Sequence, residues 1–180
     1  MAESVQNQQI DVTALFQLSY GLYIVGTSFE GRHNGQVANA VMQITANPIC
    51  ILTCLHKENL TTELIEKSGI FSVAVLEQDV PMPFIGTFGF KCGRDTDKYC
   101  DVNFKTGSTG APLVLDWTLS ALEAKVVQSM DVCTHRLFVG EVVGAETFKK
   151  GSPLTYAYYH SVKKAKSHKN SPTSIFNAVS

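Results

Sequence analysis

Lys57, Asn59, Thr61 and Thr62 stand close together where an apolar, β-branched run, ICILTCL, passes through a loop into the start of a helix-like stretch, LTTELIEKS. A helix start offers unpaired N–H groups and the positive end of the peptide dipole, which together suit one phosphate. Lys57 would add a full charge, and Asn59, Thr61 and Thr62 polar donors. The same residues equally describe an ordinary capped helix with a solvated lysine. A second set lies in GQVANAVMQIT, where Gly35, Ala38, Asn39 and Ala40 keep bulk low enough for a flat ring to lie on the backbone. Gln36, Asn39, Gln43 and Thr45 could bond the edge of a heterocycle. A strand curving through small residues is the alternative. The third set, FGFKCGRDTDKYCD, mixes Lys91, Arg94 and Lys98 with Phe88, Phe90 and Tyr99. Such a loop can fold over an anionic ligand or carry a solvated Arg/Asp network. His135 opens an apolar strand, and in TYAYYH a strand reading puts Tyr156, Tyr158 and His160 on one face. His33, His56 and His168 lack His/Glu metal spacing.

The elements that must position these residues read mainly as β. Asp11 can cap a short helix through about Tyr20, followed by extended YGLYIVGTS, the turn-like FEGRHNG and a second extended piece from about Gln36 to Thr45, together a hairpin. ICILTCL reads as a buried strand, HKEN as a loop, and LTTELIEKS as a helix closed by Gly69. IFSVAVL is a strand, PMPFIGTFG a short helix, and Phe88 to Gly110 a long functional loop. APLVLD, LSALEAKVVQSM, HRLFVGEVVGAE and PLTYAYYH return to β. Roughly eight strands with short connections favour a closed or half-closed antiparallel barrel. From Ser161 the tail is basic and aperiodic.

The bulk properties narrow the function classes. The 180 residues suit one domain, read as 1–160 with an extended tail over 161–180. With 44% hydrophobic residues, 17% charged and a net charge of -1, no broad field exists for gripping nucleic acid. No apolar run approaches the roughly 18 residues of a membrane span. The polar start MAESVQNQQIDV has no leader pattern, so a cytoplasmic protein is expected. Five cysteines without a CxxC pair argue against a disulfide framework and against a thiolate metal site. There is no G-x-S-x-G, G-x-G-x-x-G or GxxxxGK[ST].

Taken in order, YGLYIVGTS, NGQVANAVMQIT, CLHKENLT, SGIFSVAVL, FIGTFGFKCGRDTDKY, TGAPLVLD, THRLFVGEV and LTYAYYH resemble the flavin reductase-like FMN-binding split-barrel family. The likeness runs from about Leu15 to Pro172. It is nearest to the flavin domain that some anaerobic microbes carry ahead of a rubredoxin, and to flavoredoxins. It implies a mainly β, antiparallel Greek-key split barrel and a homodimer with FMN near the interface, the tail packing on the partner. The ring would lie on Gln36, Ala38, Asn39, Ala40 and Thr45. Lys57, Asn59, Thr61 and Thr62 would hold the phosphate, with Cys54 and His56 in the same stretch. The loop carrying Phe90, Arg94 and Lys98 would cover the cofactor. His135, near the nicotinamide entry, and His160 would serve catalysis. The implied activity is electron transfer from NAD(P)H through FMN to flavin, oxygen, a ferric complex or a protein such as a separate rubredoxin. An FMN electron carrier and a non-flavin binding module are the alternatives. Val37, Ala40 and Thr134 depart from the family pattern, which has hydroxyl residues near the first two and an acidic residue before the strand histidine.

Overall fold

Glu30 and Gly31, both at positive φ (49° and 77°), turn the chain between β1 (Tyr23–Phe29) and β2 (Arg32–Ala38). Two residues of that conformation match the twist of the flanking strands. The computed structural model describes residues 10–174, so the polar start before Ile10 and the last six residues of the tail lie outside it. The Asn34-Gly35 pair, read as part of a turn, lies within β2 instead. Gly35 is required there because a Cβ would come within 2.7 Å of the Tyr99 hydroxyl.

The expected strand from Gln36 to Thr45 is two strands. β2 ends at Ala38, and after Asn39 and Ala40 the chain enters β3 (Val41–Ala46). β3 pairs with β4 (Ile49–His56), which is followed by α1 (Leu60–Ser68) and β5 (Ile70–Leu76). Next come α2 (Met82–Gly89), the short pair β6 (Phe104–Thr106) and β7 (Pro112–Val114), and the long hairpin β8 (Thr118–Val132) and β9 (His135–Thr147).

Seven strands form one antiparallel sheet in the order β2-β1-β5-β8-β9-β4-β3. Its two edges, β2 and β3, are consecutive in the chain. Three Cα steps reach at most about 11 Å. The sheet therefore curls until its edges nearly meet without pairing: a split barrel, with Asn39 and Ala40 spanning the seam. Alternation along β1 and β5 feeds two cores. Val25, Phe71 and Val73 face the interior with Ile51, Leu55 and Phe138, and Ile65 of α1 packs there too. Ile24, Ala74 and Leu76 face the other way, under Ile85 and Phe88 of α2.

Two local expectations are corrected. The first helix is a 3-10 segment, Val12–Gln17, capped by Asp11 and finished before Tyr20. LTYAYYH is a helix rather than a strand: α3 (Tyr156–Ser161), capped by the Thr155 hydroxyl, which accepts from Tyr158 N–H. Its aromatic composition reads as β, but the cap and the four-residue spacing of Tyr156 and His160 satisfy a helix. No described helix is long and apolar enough to cross a membrane.

Candidate functional site: a cavity at the barrel seam

A cavity of ≈ 380 Å³ opens where β2 and β4 face each other across the seam. That is the size of a small-molecule site. β2 contributes Asn34, Gln36 and Ala38, and β4 contributes Cys54 and His56. The first residues of α1 form the floor at one end. The loop after α2 brings Phe90, Arg94 and Lys98, and the chain beyond α3 closes the remaining side.

At the α1 end, Asn59 is the N-cap in extended conformation and makes no side-chain cap bond to the helix. The first intrahelical bond runs from Glu63 N–H to the Asn59 carbonyl, so the N–H groups before Glu63 have no partner within the helix. Thr61, 1% exposed, accepts from the Asn34 amide at 2.8 Å. Asn34 is itself buried and aimed at this end. The Thr62 hydroxyl turns inward and donates to the His56 carbonyl at 2.8 Å, fixing the turn that enters the helix. Arg94 donates to the Glu58 carbonyl and to Glu63, tying the covering loop to the first turn of α1.

On β2, Gln36 lines the cavity and its Oε1 is buried without a hydrogen-bond partner. An orphaned buried acceptor costs free energy unless a ligand donor meets it. Lys98 is 5% exposed, and its ammonium donates to the carbonyls of Gly35 (2.9 Å) and Phe88 (3.2 Å). Burial pulls it down to about 8, so its proton is held less firmly than an ordinary lysine's. No described carboxylate bonds to it.

His135 does not itself line the cavity; its ring is 5.1 Å from that of His56, which does. Its Nε2 lies 3.3 Å from the Asn170 carbonyl and its Nδ1 2.9 Å from the Thr134 hydroxyl. A carbonyl only accepts, so Nε2 carries the proton and Nδ1 accepts from Thr134. Burial lowers the His135 pKa; the Asn170 carbonyl opposes that shift and His56 reinforces it.

Not every residue picked from sequence lines the cavity. Ala40 lies in the seam link, where its carbonyl accepts from Cys54 N–H. Thr45 is on the exposed edge strand β3, bonded to the Pro48 carbonyl. Lys57 follows inward-facing His56 and points away, 3.5 Å from Asp131. Thr62 is behind the floor. His160 is one layer back, 4.4 Å from the Tyr156 ring and 3.3 Å from the Ser167 hydroxyl. Residues the sequence reading missed include Asn34, Tyr156 and Tyr159, and the tail from Ser167 to Pro172.

Residues 15–165 match the model of the flavin reductase like domain. The chain belongs to that family. A ferric-chelate reductase (NAD(P)H) of Archaeoglobus fulgidus is 50% identical over 157 residues, covering 87% of this chain and 93% of the relative. A high molecular weight rubredoxin of Moorella thermoacetica is 45% identical over 164 residues, covering 91% of this chain and 72% of that protein. The flavoredoxin of Methanosarcina acetivorans shares the fold, with a TM-score of 0.68 at 22% identity over 85% of this chain and 81% of the other. The family resemblance and the antiparallel split barrel drawn from the motifs both stand, and the flavin reductase-like domain accounts for most of the chain.

Proposed function

We propose that the seam cavity binds FMN and that the chain is an oxidoreductase passing electrons from NAD(P)H to a ferric complex, flavin, oxygen or a protein acceptor. The observation that carries this reading is the open start of α1 in the wall of a ligand-sized cavity that is also lined by Gln36, whose Oε1 is buried without a partner. Those are the requirements of a phosphate and of a polar ring edge. When bound, the flavin supplies the two-electron to one-electron chemistry, and the protein supplies binding, orientation and electrostatics.

Asn59 and the first N–H groups of α1 take the phosphate, with Asn34 fixing Thr61 beside them. Ala38 gives the ring a flat wall. Lys98 brings positive charge to a buried site, which favours negative charge on a ligand there. Lys57 and Thr62 act indirectly, Lys57 through the β8–β9 turn and Thr62 by shaping the entry to the helix. His135, neutral at pH 7, borders the donor's approach. His160 supports Tyr156 and Ser167 behind the wall. The ferric-chelate reductase relative favours a ferric acceptor, and the rubredoxin relative a separate one-electron protein.

A second copy of the chain would pack on the exposed apolar residues Met42, Ile44 and Ile49, with Val127 and Val143 on neighbouring strands, giving a homodimer. Sedimentation velocity reads its mass, and a monomer at micromolar concentration would contradict it. Five free cysteines fit a reducing cytoplasm.

The direct test is a visible spectrum of the FMN-loaded protein before and after anaerobic NADH or NADPH. Bleaching of the flavin bands, then recovery on adding a ferric chelate, is the expected result. Bands unchanged by either donor would leave only the electron carrier. In His135→Asn, bleaching should slow about tenfold or more while FMN stays bound. Loss of FMN from the folded variant would instead make His135 a binding residue.

A further inference from the structure

Within the described residues, the chain beyond α3 is held to α3 by Ser167, which bonds Tyr156 and His160, and several of its other contacts fall at groups the flavin reading uses. The Asn170 amide donates to Asn59 Oδ1 at 3.2 Å, at the start of α1, while its carbonyl accepts from His135 Nε2 at 3.3 Å, beside His56. The Asn39 amide donates to the Thr173 hydroxyl at 2.8 Å, and that hydroxyl donates onward to the Tyr156 hydroxyl at 2.6 Å. Thr173 is 6% exposed, so this node is inside the protein. The His168 ring sits 6.0 Å from that of Phe90, linking the tail to the covering loop. One short segment thus touches the link across the seam, β9, the helix start and the loop.

We propose that Ser167–Thr173 is the outer wall of the flavin site, a lid that closes over bound FMN and sets how long the cofactor is retained. This rests on the flavin reading above. A plug would fill the space, yet ≈ 380 Å³ stays open beneath the segment. The segment also contains no large aliphatic side chain: its sequence is SHKNSPT. Its hold is a set of hydrogen bonds, each a modest net gain in water, so it can lift without exposing a core. Seated, it ties Asn59 and His135 together through one residue and excludes water from the ring. Asn170 and Thr173 are therefore retention residues, acting through Asn59, His135 and Asn39.

Two measurements test this. In the full-length chain, trypsin should cut after the exposed lysines Lys166 and Lys169. FMN is expected to slow those cuts about tenfold without affecting Lys150, which is exposed outside the segment. In the full-length double variant Asn170→Ala/Thr173→Val, FMN release, followed by recovery of flavin fluorescence, should speed up about tenfold, read at a temperature well below the variant's own FMN-free unfolding midpoint. Unchanged protection overturns the lid. Faster cutting with FMN overturns it too, because the segment would then be displaced by the cofactor. If the variant does not fold, the protease result on the unaltered chain decides alone. Failure of the intact chain to quench FMN fluorescence at all would overturn the flavin reading itself, whereas binding without protection would sink only the lid.

Discussion

Asn59→Asp should weaken FMN binding about a hundredfold and leave riboflavin binding unchanged. The substitution is isosteric. Aspartate caps helices as well as asparagine does, and its Oδ1 can still accept from the Asn170 amide, so neither helix nor lid loses a contact. What changes is one negative charge at the mouth of α1, where the phosphate would sit. Two unit charges about 4 Å apart repel by about 4 kcal/mol at an effective dielectric near 20, and screening at this half-open site leaves roughly 3 kcal/mol. Riboflavin has the ring but no phosphate and escapes that cost. Parallel quenching titrations with the two ligands read the difference. Equal weakening of both would mean that Asn59 serves the ring, and an unchanged FMN affinity would remove the phosphate from α1.

Glu123→Ala should cost about 3 kcal/mol of stability, the largest loss expected from a single residue outside the apolar core. Glu123 is 6% exposed, and its carboxylate accepts four bonds: the N–H and hydroxyl of Ser108 at 3.0 and 2.8 Å, and those of Thr109 at 2.8 Å each. It occupies space left by two glycines, since a Cβ on Gly107 or Gly144 would come within 2.4 or 2.5 Å of it. Removing it strands two backbone donors and leaves a void. Burial alone would raise its pKa, but the Thr109 and Ser108 donors outweigh that and hold it below its ordinary 4.5. The sign follows from linkage: the unfolded chain binds the proton more tightly. The contribution is thus complete above about pH 4.5 and fades as the pH falls through the lower folded value. Urea unfolding of parent and variant should differ most at neutral pH, and the gap should narrow in acid to the part due to lost packing. A constant gap would contradict the assignment to the ionised carboxylate.

The fold was legible wherever local chemistry agreed with tertiary demand. Asn59 and Gly69 bracket α1 as a cap and a left-handed stop should, and ICILTCL and IFSVAVL are buried strands. The seam was not, because Ala38, Asn39 and Ala40 continue the strand pattern. The break there comes from closing a curled sheet, which no window of sequence contains. Asn34-Gly35 mimicked a turn because that dipeptide favours one. Only the close approach of Tyr99 shows why a glycine stands in the strand. Lys57 carried the right charge in the right segment, but the turn after β4 directs it outward to Asp131. The tail reads as aperiodic because its contacts are polar and irregular. No periodicity could have shown it covering the cavity.

The measurement closest to the central claim is a crystal structure of the chain with FMN. One flavin should lie at the seam, its phosphate oxygens about 2.7 to 3.2 Å from the N–H groups at the start of α1 and its ring against Ala38 and Gln36, under Ser167–Thr173. A flavin bound elsewhere, or one with its phosphate away from Asn59–Thr61, would contradict the account.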